Sequence, residues 1–332
     1  MNYMPPRSHP LETVPESEAA DIERVIALQI GMMKAGNPKK RGQHPKHQAV
    51  VRGTFEVGDA VPSNFRAGVF AQPGVFDAAV RISTGPMPKD SDPNPHAFAI
   101  KLIDVPGSPS GTQDFILLDQ PTFFISNIAE YVQFFESAMQ DPGATGFFKA
   151  HPRQFGLNLT FNVVIASQLE RQYWSEVPIA MGQGAARLTL IPDVGNISGR
   201  DAATTDDGLR DALEDHFIQN RRSATFRLAA QAYVDEATTP IEDATSVWPT
   251  PFEEIATLTL PPQDFTSPEQ YAFGEHLSYT PWHCMSDHQP LGGIQRCRKN
   301  LYEASQKLRH ELNGVERHEP SKADLERLGR FL

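Results

Sequence analysis

The chain has little cysteine: Cys284 and Cys297 are the only two among 332 residues. Two cysteines cannot build a disulfide framework, and a buried, inert thiol is expected for each. Long apolar runs are missing as well. No stretch approaches about 18 uninterrupted apolar residues, so no transmembrane helix is expected. The opening MNYMPPRSHPLETVPESEAAD is polar and lacks the apolar segment of a secretory signal. The expectation is a cytoplasmic protein whose first residues, roughly 15 of them, form a mobile or wrapping arm. Positive charge is in deficit: 30 Lys and Arg stand against 41 Asp and Glu, a net charge of −11. That balance argues against nucleic acid as a partner. Neither GxGxxG after a strand nor GxxxxGK[ST] occurs, which removes the dinucleotide and P-loop readings.

What the chain does have is proline, 28 residues of it. So much proline disfavours an all-helical bundle and favours short strands with long loops. Apolar residues make up 39%, enough for a sizeable core. At roughly 150 residues per domain, length alone suggests two domains. No repeat is visible.

Ile22, Val25, Ile26, Ile30 and Met33 recur at helical spacing, so a helix is predicted over 18–35, stopped by Gly36-Asn37-Pro38. Runs rich in β-branched and aromatic residues predict strands at 48–57, 78–83, 97–103, 113–118, 185–191, 223–234 and 254–260. Ile128, Tyr131, Val132, Phe135 and Met139 form one helical stripe over 127–139, and a helix is predicted over 205–219. Residues 141–182 read as a long crossing segment. Ser267-Pro268-Glu269-Gln270 is a capping box that starts another helix. The last helix is predicted over 293–313, closed by Asn313-Gly314. About eight alternating strands with inserted helices, and no strict βαβ rhythm, predict an α+β protein around an antiparallel barrel.

Two groups of residues suggest chemistry. In the last helix, Arg298, Tyr302 and Arg309 lie at about 0°, 40° and 20° when 100° is taken per residue, so they share one face. The plain reading is a solvated charged face. The sharper one is an anionic site, in which Arg298 stabilises a tyrosinate and Arg309 binds a carboxylate. A tyrosinate is a known ligand of haem iron. Near the N-terminus, Arg41-Gly42-Gln43-His44 precedes the first strand, with His47 as the rival of His44 for any role. Arg81 and Ser83 point the same way from one strand. An inward-pointing Arg81 would need an anionic partner, and Ser83 could orient a histidine. His151, His216, His276, His283 and His288 have no metal-like spacing and are expected to be structural or on the surface.

Taken together, these segments resemble the haem catalase superfamily. Arg41-x-x-His44 before the Phe55-Glu56-Val57 strand looks like the segment that carries the distal histidine. Val80-Arg81-Ile82-Ser83-Thr84 resembles the second barrel strand and Ala97-Phe98-Ala99-Ile100-Lys101 the third. Asp114 through Pro121-Thr122-Phe123-Phe124-Ile125 resembles the fourth strand and its turn. Arg298-x-x-x-Tyr302 with Arg309 matches the proximal helix. The resemblance covers roughly residues 38–140 and 290–313.

It implies a catalase-like eight-stranded antiparallel β-barrel with inserted and C-terminal helices, holding haem b. Tyr302 would be the iron ligand, supported by Arg298. His44 would be the acid–base residue, with Ser83 hydrogen-bonded to it. Arg41, Arg81 and Arg309 would hold the propionates, and Tyr131 would lie against the haem. Gln43, Ile116, Leu118 and Phe123 would line the distal pocket. Three positions depart from the catalase pattern: Leu118 replaces the distal Asn, Gln43 an apolar packer, and Asn94 the charged residue of the access channel. Each weakens the case for fast hydrogen peroxide dismutation.

The resemblance thus points to a minimal catalase-like protein that metabolises peroxide in a peroxidase-like way, with weak catalase activity and an organic electron donor as possible partner. Alternatives are a lipid-hydroperoxide isomerase of the catalase-related type and a non-enzymatic haem-binding protein. Because the two motif groups must meet across one haem, one haem-binding domain is expected over 38–315. An arm and helix (1–37) would precede it and a tail (316–332) follow, with homo-oligomerisation possible.

Overall fold

The computed structural model describes residues 8–327 and 330–332. Residues 1–7 of the expected N-terminal arm lie outside the described residues. The sheet is built from β1 (Lys46–Val57), β2 (Gly74–Thr84), β3 (His96–Leu102), β4 (Gln113–Leu118), β5 (Tyr173–Trp174), β6 (Ile179–Met181), β7 (Gly184–Pro192), β8 (Ala224–Ala232) and β9 (Phe252–Leu260). Every pairing is antiparallel. The ladder runs β4-β3-β2-β1-β9-β8-β7, and the short β5 pairs with both β4 and β7. Among the described residues eight strands therefore close a barrel, with β6 appended to β7. The closure rests on three residue pairs: Leu118 with Trp174, Tyr173 with Leu190, and Trp174 with Thr189.

Period-2 alternation fixes which residues enter the lumen. Val51 and Phe55 of β1, Val80 and Ile82 of β2, Phe98 and Ile100 of β3, and Phe115 and Leu117 of β4 are buried in one core cluster. The lumen is filled with side chains. The Phe98 ring lies 5.0 Å from that of Tyr173 and 5.1 Å from that of Phe226. Such aromatic pairs add about 0.5–1.5 kcal/mol each beyond burial.

The other set of alternating residues on β2, β3 and β4 faces out of the barrel. Arg81, Ala99 and Ile116 form one cross-strand row, and Ser83, Ala97 and Leu118 the next. Arg81 thus points away from the lumen, because its neighbours Val80 and Ile82 occupy it. Over this outer face lie α1 (Glu18–Ala35), α2 (Ile128–Gln140) and α7 (Gly293–Asn313). They share a second core with Ile22, Val25, Ile128, Tyr131, Phe135, Cys297 and Leu301. The first and last of these helices have the bounds that the sequence predicts. Asn127 caps α2 by accepting from Glu130 N, and Gly314 ends α7 in a left-handed turn.

The crossing segment 141–182 carries α3 (Thr145–Ala150) and α4 (Pro152–Phe161) as well as β5 and β6. The helix predicted over 205–219 is α5 (Gly208–Glu214) continued by a π-helical turn at Asp215–Gln219. Helix α6 (Pro268–His276) starts at Ser267 as expected, but only half of the capping box forms: Ser267 accepts from Gln270 N, while the Gln270 side chain donates to Val50 O at 2.8 Å. The C-terminal α8 (Lys322–Glu326) precedes a short strand, Arg330–Phe331, that pairs with Gln263–Asp264. Among the described residues no helix is long and apolar enough to cross a membrane. Cys297 is buried, whereas Cys284 is only half-buried; burial raises both thiols, that of Cys284 to about 12.

Candidate functional site

A cleft of about 110 Å³ lies between the outer face of the barrel and α7. Its floor is Arg81, Ser83, Ala97, Ala99 and Ile116 from β2–β4, and its roof is Leu301, Tyr302 and Arg309 from α7. The two alanines flatten the floor where larger side chains would fill the space. One end is closed by Arg41, Gly42, Gln43 and His44, which lead into β1.

On the roof, Arg298 Nη2 donates to the Tyr302 hydroxyl at 2.9 Å, and Arg298 Nη1 donates to Gln295 Oε1 at 3.1 Å. The spacing of one helical turn produces this contact directly. Opposite stands His44, with φ +47°, a left-handed backbone that few non-glycine residues adopt. Its Nδ1 is buried and has no partner, so the expected Ser83–His44 hydrogen bond is not made here. Burial holds the His44 imidazole down at about 3, with Arg81, His96 and Arg298 adding repulsion. The ring is therefore neutral near pH 7.

Arg41, Arg81 and Arg309 converge at the same end. Arg41 Nη2 donates to Leu277 O at 2.6 Å and Gly274 O at 3.0 Å, and Arg309 Nη2 donates to Leu277 O at 3.3 Å. Arg309 Nη1 also donates to Glu275 O. Arg81 Nη2 donates to His44 O at 3.1 Å. One carboxylate faces all this charge: Glu275 Oε1 lies 3.1 Å from Arg41 Nη1 and 3.8 Å from Arg81 Nη2. Burial raises the Glu275 carboxyl, but His47, Arg41 and Arg81 outweigh it and hold it at about 2. Burial and mutual repulsion lower Arg81 and Arg309 to about 9. Three cations against one anion leave a site that favours a further anion.

His47 is placed differently from His44. It is buried, stacks on Tyr271 with ring centroids 4.7 Å apart, and has Nδ1 3.1 Å from Glu275 Oε1. Gly274 packs against its ring so closely that a Cβ there would collide with it. His47 thus supports Glu275 and is not on the cleft wall. Leu118, Phe123 and Tyr131 are also off that wall. Leu118 pairs with Ala97 and Trp174. Phe123 and Tyr131 pack in the helical core, their rings 5.8 Å apart. Burial pushes the Tyr131 hydroxyl well up, against the opposing pull of the Arg298 guanidinium. Asn94 is buried and holds its own loop, donating to Met87 O at 2.9 Å and accepting from Met87 N.

Sequence reasoning missed Glu275. A carboxylate in the last turn of a short helix carries no local signal; its role comes from α6 lying beside β1 and the arginines. Two further histidines serve the scaffold: His288 accepts from Val69 N at 3.0 Å, and His283 joins the buried Lys101–Asp114 pair, 3.3 Å from Asp114 Oδ2; His276 and His318 are exposed. Among the described residues no cluster of three or more His, Cys, Asp or Glu could hold a bare metal ion. An iron site would need its other ligands from a macrocycle. In their chemistry, though not in the cleft's present volume of about 110 Å³, the residues suit haem: an arginine-supported phenol, a neutral histidine with an unpartnered buried nitrogen and three clustered guanidiniums.

No family model and no curated protein matches the chain. Solved structures do. A fungal catalase superposes with a TM-score of 0.65 at 17% identity, over 84% of this chain and 61% of that one. A bacterial catalase gives 0.63 at 16% identity, over 93% of this chain and 63% of that one. Catalase A from Saccharomyces cerevisiae gives 0.62 at 16% identity, over 88% and 67%. The chain thus spans less than two thirds of the first two. At this identity the likeness is one of fold: the closed antiparallel barrel with its helices is catalase-like.

Proposed function

We propose that the cleft is a haem b site and that the protein is a haem-dependent, peroxide-metabolising oxidoreductase of peroxidase type, with weak catalase activity. The observation that carries this reading is the Arg298–Tyr302 hydrogen bond in a cleft shared with the neutral His44. A bound haem would supply the redox chemistry of O–O cleavage. The rest falls to the chain's own residues. Tyr302 offers its phenolate oxygen as iron ligand, and the Arg298 guanidinium compensates that charge. Arg41, Arg81 and Arg309 bind the haem carboxylates and orient the ring. His44 takes the peroxide proton on a ring nitrogen and returns it to the departing oxygen. Leu301, Ala97, Ala99 and Ile116 keep bulk water out. An organic molecule would serve as electron donor.

The test is the absorption spectrum of the purified chain after haem supplementation, followed by turnover of hydrogen peroxide and an alkyl hydroperoxide with a reductant present. A Soret band and reductant oxidation that falls at least about 100-fold in His44→Ala are expected. Absence of the Soret band would end the haem reading. A Soret band unchanged in Tyr302→Phe would refute only the ligand assignment.

A further inference from the structure

A second, larger space adjoins the cleft. It is a groove of about 890 Å³ that shares Gln29, Arg41, Gly42 and Gln43 with the cleft. Volumes of roughly 300–1,000 Å³ are those of pockets that take drug-sized organic molecules. The groove's apolar lining includes Met32, Met33, Met87, Phe135 and Tyr271. Methionine side chains are flexible and polarizable, and they accommodate apolar bodies of varied shape. Met87 is 43% exposed and Tyr271 41% exposed, so apolar surface is held open at this mouth rather than packed away.

The charges around the groove are uneven. Lys46 is neutralised by Asp90 at 2.9 Å and Asp207 at 3.2 Å, and Arg210 by Glu214 at 3.1 Å. Lys40 is exposed and has no ion-pair partner among the described residues. Beside it stands Arg41, one of three arginines facing the single carboxylate of Glu275. Positive charge without a matching anion thus stands on Lys40 at the groove, next to Arg41, which groove and cleft share. Such a local excess draws anions from solution. An apolar trough with a cationic end selects molecules that are apolar along their length and anionic at one end.

We infer that this groove binds an amphipathic organic carboxylate, its head group at Lys40 and its body against Met32, Met87 and Tyr271, and that it seats the organic co-substrate of the cleft. The second clause rests on the peroxide reading above; the binding itself does not. The same chemistry is shared by a carboxylated organic hydroperoxide and a carboxylated reductant.

Dodecanoate is the probe, followed by isothermal titration calorimetry on the full chain with and without haem. Saturable binding is expected in both forms, weakened at least tenfold by Met87→Glu and by Lys40→Glu, with 1-dodecanol binding at least tenfold more weakly. Both variants change exposed side chains, and unchanged circular dichroism verifies their fold. No saturable binding, or binding indifferent to both substitutions, overturns the inference. So does loss of binding on haem loading, which would make the groove part of the haem cleft. A Soret band without dodecanoate binding sinks the groove and leaves the haem reading standing; dodecanoate binding without a Soret band does the reverse. In turnover, Met87→Glu is expected to raise KM at least tenfold for a dodecanoate-like hydroperoxide if the groove seats the oxidant, or for a carboxylated reductant if it seats the donor. KM for hydrogen peroxide should be unchanged. A variant KM equal to wild type for both organic partners refutes the co-substrate role.

Discussion

The Arg298 guanidinium donates to the Tyr302 hydroxyl from one turn earlier on α7, at 2.9 Å, and its carbon lies 5.1 Å from the centroid of the tyrosine ring. One side chain therefore both hydrogen-bonds the phenol oxygen and places positive charge beside the ring. A charge-assisted hydrogen bond to an anionic oxygen contributes about 1.5–3 kcal/mol. Arg298→Leu is expected to weaken haem retention at least about tenfold, since 1.4 kcal/mol corresponds to a factor of ten. Haem transfer to an apo-globin acceptor measures it. Retention equal to wild type would mean that Tyr302 does not bind the iron as an anion.

Glu275 is the counter-charge of the arginine cluster, and its carboxyl is held at about 2 against an ordinary 4.5. The folded carboxyl binds its proton less readily than the unfolded one. Its contribution to stability is thus present above pH 4.5 and lost as pH falls from there towards 2. Glu275→Gln leaves Arg41, Arg81 and Arg309 without their anion and should cost about 3 kcal/mol at pH 7. Denaturant unfolding from pH 7 down to pH 3 checks both: the variant should start lower and lose less stability on acidification. A loss on acidification equal to that of wild type contradicts the assignment.

How much of this was legible in the sequence follows from where the information lies. The helices 18–35 and 293–313 were legible to the residue because a 3.6-residue stripe and a Gly stop are local signals. Arg298 and Tyr302 could be paired in advance because helical geometry alone sets their contact. β5 was not legible: two residues cannot display a period, and Tyr173–Trp174 become a strand only because β4 and β7 approach them from both sides. Which face Arg81 takes was equally hidden. Alternation puts Arg81 and Ser83 together but does not say which side is lumen; a helical layer on the outside decides it. Glu275 and His47 needed the packing of α6 against β1.

Asp119, at the barrel end beside His96, titrates in the opposite sense. Burial raises its carboxyl from 3.8 to about 6, against the opposing pull of the His96 backbone N–H and of Arg171, whose Nη2 lies 3.6 Å away. The folded state here binds the proton more tightly than the unfolded one. Stability should therefore decline as pH rises from about 4 to about 6, by on the order of 2–3 kcal/mol from this group. Asp119→Asn should remove that decline. Urea midpoints of both proteins at pH 4, 5, 6 and 7 test it, and parallel curves would count against it.

Arg296 holds the N-terminal arm to the helix that carries Tyr302. Its guanidinium is buried and reaches Glu12 at 2.5 Å, Glu18 at 2.6 Å and Glu242 at 2.9 Å. Glu12 also accepts from Gly292 N at 2.8 Å and Glu242 from Gly293 N at 2.9 Å, so two of these carboxylates cap the start of α7 as well. Carboxylates at a helix N-terminus are favourable, but three so close together repel unless a cation lies between them. Removing the cation alone strands buried negative charge, a change that costs about 3–5 kcal/mol. Arg296→Leu should therefore destabilise the protein by that amount and release the segment around Glu12 to proteolysis. The companion variant Glu12→Gln removes one carboxylate and keeps the cation paired with two others; it should cost less than about half as much. Chemical unfolding gives the energies, and limited trypsin digestion with mass mapping reports on the arm. If Arg296→Leu is no worse than Glu12→Gln, the repulsion among the three carboxylates is not what Arg296 suppresses, and the arm is held by its apolar contacts instead.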